Sequence, residues 1–263
     1  MLAEGNNKIL ANKKLVAFDV DGTLTISRSR IDPEMADLLK RLLAIKKVAI
    51  ITGGAFANIK EQILDELNLP PKLNKNLILL PTNGGGLWIF TRRLMKWTRN
   101  WQEFSSHNFT IKEKEEIIQA IKEIDQTDPE LCNNISFGRE IQDRNSGITY
   151  AALGENAPTN IKKNWDPDFK KRLAIQKKLM EKLPNFEVKI GGTTSIDITP
   201  KGMDKAFGIK KIMEDFNMKK EDILFFGDAV YENGNDYPVS LMDVDTIRVT
   251  SPEETKERLI RLL

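Results

Sequence analysis

The chain opens with short, wholly apolar runs that alternate with stretches whose apolar residues recur every three to four positions. Leu15–Phe18 is apolar at every position, which predicts a strand covered on both faces, as in a parallel sheet. Asp32 followed by Pro33 reads as a cap and first turn, and Met35, Leu38, Leu39, Leu42 and Leu43 then fall on one helix face. Val48–Ile51 predicts a second strand. Thr52-Gly53-Gly54 turns the chain into another helix, with Ile59, Ile63, Leu64 and Leu67 on one side, and Leu77–Leu80 predicts a third strand. The rhythm returns near the end as a helix over Ala206–Phe216, strands at Ile223–Phe226 and Ile247–Val249, and a helix after Pro252. Strands and helices in alternation predict an α/β fold with a parallel sheet and crossover helices.

The middle of the chain follows another pattern. Leu87–Phe90 with Leu94–Thr98, and Ile135–Ile141 with Ile148–Leu153, predict antiparallel hairpins. Helices are predicted at Lys112–Ile124 and at Asp166–Leu183, the latter with Phe169, Leu173, Met180 and Leu183 along one side. The expected organisation is a discontinuous core, residues 1–86 and 199–263, with an α+β domain inserted at 87–198. Gly84-Gly85-Gly86 and Thr199-Pro200-Lys201-Gly202 are the expected crossings, because glycine permits and proline fixes unusual backbone geometry.

Composition narrows the function classes. A length of 263 residues with 40% hydrophobic content suits one domain and a sizeable insertion. Forty basic residues against 38 acidic ones, a net charge of +2, lack the basic excess of nucleic-acid binders, so no nucleic-acid partner is expected. The segments Lys162-Lys163, Lys170-Lys171-Arg172 and Lys177-Lys178 are flanked by acidic residues without interleaved aromatics, and read as a solvated face. No run approaches the roughly 18–20 apolar residues of a membrane helix. Met1–Leu10 is interrupted by Glu4, Gly5, Asn6, Asn7 and Lys8, so it does not read as a secretory signal and a cytoplasmic location is expected. Cys132 is the single cysteine and His107 the single histidine, which excludes an internal disulfide and a multi-histidine metal site; His107 reads as a surface residue.

The carboxylates carry the chemistry. Asp19 and Asp21 stand at the predicted carboxyl end of the first strand, where open α/β sheets place ligands, and Gly22 follows at once. Two carboxylates beside exposed backbone suit a hard divalent cation such as magnesium, which an anionic nucleophile needs in order to approach a phosphate. A calcium loop does not fit, since Thr23 and Arg30 occupy positions that need an acidic or amide residue and a glutamate. Phe225-Phe226-Gly227-Asp228 ends another predicted strand in an aspartate, and Gly234-Asn235-Asp236 follows in the same loop. Thr52 ends a third strand and could offer its hydroxyl and the following amides to a phosphate oxygen. Lys205 opens the helix after the insertion. Taken singly, Thr52 reads as a helix cap, Lys205 as a solvated charge and Asp236 as a loop former; together they converge on one sheet edge.

In this order the motifs resemble the haloacid dehalogenase superfamily of phosphotransferases: Asp-x-Asp, then threonine or serine, then lysine, then Gly-Asp with a further acidic residue. Within it the chain is similar to the eukaryotic-type phosphomannomutases and their bacterial phosphatase-like relatives. Asp19–Thr25, Gly191-Gly192-Thr193-Thr194-Ser195-Ile196-Asp197, Gly202-Met203-Asp204-Lys205, and Gly227-Asp228 through Gly234-Asn235-Asp236 carry that likeness. The resemblance implies a Rossmann-like core, a mixed α/β cap and a small phosphorylated metabolite as partner, and it permits a homodimer through the cap. It implies Asp19 as nucleophile and Asp21 as acid and base. Mg2+ would be held by Asp19, the Asp21 carbonyl and Asp228, with Asp236 or Asn235 in support; Thr52, Gly53, Lys205 and Asn235 would face the phosphate. In the cap, Ser195 and Asp197 would contact sugar hydroxyls and Arg144 a second phosphate.

Hydrolysis and mutation share the first half-reaction and differ in the acceptor, water or a sugar hydroxyl. A mutase needs cations at the far end of a doubly phosphorylated sugar. Where the mutase pattern has a Gly-Arg step and a later arginine, this chain has Gly154-Glu155 and Lys162. Glutamate for arginine turns attraction into repulsion, about 4 kcal/mol each way at about 4 Å and an effective dielectric near 20. Thr52-Gly53-Gly54 also replaces the Gly-Gly-Ser of the mutases. The expected activity is therefore a magnesium-dependent sugar-phosphate phosphatase, with phosphomannomutase as the alternative.

Overall fold

The computed structural model describes residues 10–26, 29–92, 99–131, 136–191, 193–232 and 234–263. Strand β1 (Leu15–Phe18) leads to helix α1 (Pro33–Ile45), β2 (Lys47–Ile51), helix α2 (residues 56–67), β3 (Leu77–Leu80) and the hairpin β4 (Gly86–Arg92) with β5 (Arg99–Ser106). Then come α3 (Ile111–Thr127), β6 (Ile141–Asp143), β7 (Ile148–Ala151), α4 (Lys170–Lys182), β8 (Phe186–Ile190) and β9 (Ser195–Pro200). Helix α5 (Lys205–Asp215), β10 (Ile223–Gly227), β11 (Asp245–Arg248) and α6 (Pro252–Leu262) complete the chain. Two compact units result: one runs to Ser106 and resumes at Asp204, the other spans His107–Met203.

The first unit is built on a seven-stranded sheet, ordered β11-β10-β1-β2-β3-β4-β5. The strands from β11 to β3 are parallel, and β4 and β5 continue the sheet antiparallel. Successive residues of β1 point to opposite faces. Val16 and Phe18 join a core with Met35, Leu39 and Leu42 of α1, whereas Leu15 and Ala17 pack with Ile209 and Ile212 of α5. That double burial is why β1 needs an apolar residue at every position. Asp32 caps α1, its Oδ1 accepting from the Met35 N–H at 2.8 Å. The apolar face predicted for α1 is the buried one.

The second unit is a four-stranded antiparallel sheet, ordered β6-β7-β9-β8. Alternate residues of β7 and β9, Ile148, Tyr150, Ile196 and Ile198, form its core with Ile117 and Ile121 of α3 and Ile175 and Leu179 of α4. A parallel-dominated sheet with a separate antiparallel one is the α/β core plus α+β insertion that the pattern predicts.

Four expectations are corrected. The sequence pattern places the hairpin in the insertion, with the crossing at Gly84–Gly86. Instead β4 pairs with β3, Ile78 opposite Ile89 and Leu79 opposite Trp88, so the described residues of the hairpin extend the core sheet and the change of unit falls at Ser106/His107. The physical reason is the edge of β3: Leu77–Leu80 is fully buried, and an open edge there would leave backbone groups and side chains exposed. The second change of unit lies at Met203/Asp204, a few residues beyond the predicted boundary at 199. In α4, Phe169, Leu173 and Met180 are exposed, and Arg172, Ile175 and Leu179 are buried with Leu183. The apolar spacing selected the wrong stripe because Arg172, buried by its pairing with Asp166, shares the inward face. Strand β6 begins only at Ile141. Leu94–Thr98, Cys132 and Gly192 lie outside the described residues. No helix among the described residues is long and apolar enough to cross a membrane.

Candidate active site

Strands β1 and β10 are neighbours in register, Phe18 opposite Phe226, and the Asp19 N–H donates to the Phe226 carbonyl at 3.0 Å. Their carboxyl ends therefore release Asp19 and Asp228 side by side. The loop after β10 returns Asp236 to the same place, and carboxylate oxygens of Asp19, Asp228 and Asp236 all lie within 4.8 Å of one another. Two glycines make room for this crowding. Gly22 has φ of +91°, and a Cβ on it would stand 2.6 Å from Asp228 Oδ2; a Cβ on Gly227 would stand 2.5 Å from Asp236 Oδ2. Asp236 is fully buried, and its Oδ2 also accepts from the Ala229 N–H at 3.0 Å.

Lys205 enters as the first residue of α5, with Asp204 as its cap accepting from the Phe207 N–H at 3.0 Å. A cation at a helix N-terminus opposes the helix dipole and needs partners. Lys205 has two: Nζ lies 2.5 Å from Asp19 Oδ1 and 2.5 Å from Asp236 Oδ1, with 1% of the residue exposed. Burial disfavours its charge, but the two carboxylates outweigh burial and hold its pKa above the ordinary lysine value. The opposite holds at Asp19. Burial pushes its carboxyl up, Lys205 pulls it down and Asp236 pushes it up again, leaving it raised to about 7.

Three carboxylates against one ammonium leave negative charge uncompensated in a mostly buried site, which is costly unless a cation joins them. The donors are all hard oxygens, supplied from strand ends and one loop, so the residues present fit a magnesium ion. Asp19, Asp228 and Asp236 are the carboxylates that would hold it. The Asp21 carboxylate is outside that group; it is half-buried, and its Oδ1 lies 3.5 Å from Gln62 Nε2. Any part Asp21 plays toward the metal would fall to its carbonyl.

Thr52 stands beyond the end of β2, next to β1. Its N–H donates to Leu80 O at 3.1 Å, its Oγ1 accepts from the Gly54 N–H at 3.1 Å, and only 6% of the residue is exposed. Gly53 is the exposed turn of this loop. Asn235 is exposed beside Asp236. Sequence reasoning missed Gln62 and Thr23, whose Oγ1 lies 3.4 Å from Asp19 Oδ2. Gln62 had a signal: an amide between Ile59 and Ile63 on the inward side of a helix, where a buried polar group requires a partner.

In the second unit Asp197 of β9 lies opposite Thr149 of β7, accepts from its Oγ1 at 2.5 Å and stands 3.8 Å from an Arg144 guanidinium nitrogen. Ser195 is on the same sheet face two residues earlier. Gly191 lets both approach, since a Cβ there would be 2.7 Å from Ser195 Oγ and 2.8 Å from Asp197 Oδ2. Glu155 is paired with Arg139 at 3.1 Å, and Lys162 Nζ donates to the Glu155 carbonyl at 2.9 Å. The acidic charge at 155 is thus partly met within the unit, and Lys162 is turned onto the same residue.

Comparison with known proteins identifies the family. The family model for eukaryotic phosphomannomutase matches residues 35–263, beginning after the β1 aspartates. The chain is 29% identical to a phosphomannomutase of Spinacia oleracea, over 93% of both chains. It is 29% identical to phosphomannomutase 1 of Dictyostelium discoideum, over 96% of this chain and 98% of the relative. Among solved structures, a haloacid dehalogenase-like hydrolase from Bacteroides thetaiotaomicron has a TM-score of 0.64 at 17% identity, covering 95% of this chain and 100% of the other. The IMP-nucleotidase of Plasmodium falciparum has a TM-score of 0.70 at 16% identity, covering 97% of this chain and 70% of the other. These two structures share the fold, and the family match goes further: the chain belongs to the eukaryotic phosphomannomutase family of the haloacid dehalogenase superfamily.

Proposed function

We propose that this chain is a magnesium-dependent phosphotransferase that moves a phosphoryl group between positions 1 and 6 of a hexose phosphate through Asp19. The observation that carries the phosphoryl chemistry is the buried Asp19 carboxylate, bonded to Lys205 and crowded by Asp228 and Asp236 at two adjacent strand ends. The choice of a sugar hydroxyl over water as acceptor draws on relatives named phosphomannomutase that match over nearly the whole of both chains.

Asp19 attacks phosphorus in line, so that one Asp19–phosphorus bond forms as the bond to the sugar oxygen breaks. Asp21 gives its proton to the leaving oxygen; in the return step it takes the proton of the accepting sugar hydroxyl, whose oxygen bonds phosphorus as the Asp19–phosphorus bond breaks, with Gln62 against the Asp21 carboxylate to orient it. Lys205, the Thr52 hydroxyl and the Gly53 backbone stabilise the phosphoryl oxygens as charge spreads over them. Magnesium, when bound, supplies positive charge between the carboxylates and the phosphate. Arg144, Ser195 and Asp197 are assigned to the rest of the substrate, the arginine to the far phosphate of a bisphosphorylated hexose and the other two to sugar hydroxyls.

Hydrolysis is the second reading, and one observation favours it: Glu155 with Lys162 turned onto its carbonyl, where a mutase uses arginines. The test offers mannose 1-phosphate and mannose 6-phosphate with magnesium, with and without a bisphosphorylated hexose, and follows isomer and free phosphate together. Interconversion with little phosphate loss is expected. Phosphate release without isomer would establish hydrolysis instead.

A further inference from the structure

Three consecutive residues after β3 have left-handed backbone: Thr82, Asn83 and Gly84, with φ of 49°, 54° and 95°. Glycine adopts this region freely and asparagine tolerates it, but a β-branched threonine there is strained, and such strain persists only where the surroundings impose it. The surroundings are two elements of the candidate site. On one side, the Thr82 N–H donates to Gly54 O at 2.9 Å and the Asn83 N–H to Thr52 O at 2.8 Å. The Asn83 side chain lies over the same loop, Oδ1 3.8 Å from where a Cβ on Gly53 would stand. On the other side the turn meets α5 one turn after Lys205, so closely that a Cβ on Gly208 would be 2.9 Å from the Asn83 carbonyl oxygen.

We infer that the Thr82–Gly84 turn is a positioning device for phosphate, setting the Thr52–Gly54 loop and the start of α5 at a fixed separation. This rests on Thr52 and Lys205 being the phosphate-holding residues proposed above. The role belongs to the backbone: both bonds to the loop come from N–H groups, and the approach to α5 is made by a carbonyl and by Gly84. Phosphate oxygens held by Thr52, Gly53 and Lys205 would thus be gripped from two elements whose spacing neither controls alone.

Asn83→Ala, Asn83→Gly and Gly208→Ala test this in the full chain, with Thr52→Ala as control. The measurements are the affinity for inorganic phosphate in the presence of magnesium, by calorimetry, and kcat and KM on the hexose phosphate. Asn83→Ala, which disfavours the left-handed backbone, is expected to weaken phosphate binding and lower kcat/KM by about tenfold, since small misplacements of binding groups are costly. Asn83→Gly, which accepts that backbone, is expected to return both to within about twofold of wild type. Gly208→Ala, acting from the α5 side, should lower both while circular dichroism stays native. Wild-type phosphate affinity in Asn83→Ala would overturn the inference, whatever its melting temperature, and so would equal losses in the alanine and glycine variants. If the wild type binds phosphate and Thr52→Ala binds it equally well, the reading of Thr52 falls first, and the positioning role with it.

Discussion

Lys205 and Asp19 lie 186 positions apart, and the buried ammonium is tolerable in the interior because Asp19 and Asp236 both pair with it. Removing one partner of such a pair leaves the other charge buried and uncompensated, which typically costs about 3–5 kcal/mol. Lys205→Met is therefore expected to lower the unfolding free energy by about that amount in magnesium-free buffer, and added magnesium should recover part of it, as urea unfolding would show. Asp19→Asn removes charge from the crowd and should leave the fold intact while lowering magnesium-dependent turnover by roughly a thousandfold or more. Asp166 is a different case, with no role in the chemistry. Burial works to raise its pKa, but hydrogen bonds from Arg172 and from the Lys171 and Arg172 amides outweigh it and hold the carboxyl below the usual range. A pKa lowered on folding stabilises above the unfolded value, near pH 4 for an ordinary aspartate, and that contribution fades as pH falls through the folded value. Asp166→Asn should thus be less stable than wild type at neutral pH, with the gap closing toward about pH 3 in urea titrations.

At the scale of elements, the local rules predict what exists and where it ends. Asp32-Pro33 starts α1, and Ser251-Pro252 starts α6, where the serine hydroxyl accepts from the Glu254 N–H at 3.3 Å. The same rules do not reveal that α2 passes through a π-helical turn at Lys60–Leu64, which contains Gln62 beside Asp21. Periodicity near 3.6 continues through one wide turn with little change of apolar pattern, whereas the added residue changes which side chain points inward. The β1 turn is legible for its aspartates but not for the contact at Gly22, where Asp228 comes from the far end of the chain. Gly22→Ala should force the Asp228 carboxylate away and weaken apparent magnesium affinity by about tenfold or more, measured by magnesium titration of activity and by calorimetry.

At the scale of the whole molecule, partition between isomer and free phosphate is the property that separates the two readings of the chemistry. Glu155 is bonded to Arg139, so replacing it would release one cation and add another. Glu155→Arg is expected to raise the ratio of isomer to free phosphate by roughly tenfold, about 1.4 kcal/mol in the competing barriers, from charge attraction in a partly exposed setting. Single-turnover assays that follow both products would read it. The order of the motifs is that of the superfamily, the departures at Glu155 and Lys162 point toward hydrolysis, and the relatives over nearly the whole chain carry the phosphomannomutase name.

The core strands β1, β2, β3 and β10, the helices that alternate with them, and the aspartates, threonine and lysine at their ends were determined by the sequence alone, because alternation, capping and glycine turns act over a few residues. Partners were decided only in the tertiary structure. The hairpin β4–β5 joined the core sheet because β3 had an apolar edge to cover. Helix α4 turned its Arg172 stripe inward because Asp166 awaited it. Asp19, Lys205, Asp228 and Asp236 met because parallel strands β1 and β10 lie side by side. Such choices depend on burying surfaces and charges contributed from distant parts of the chain, and that free energy has no local signature.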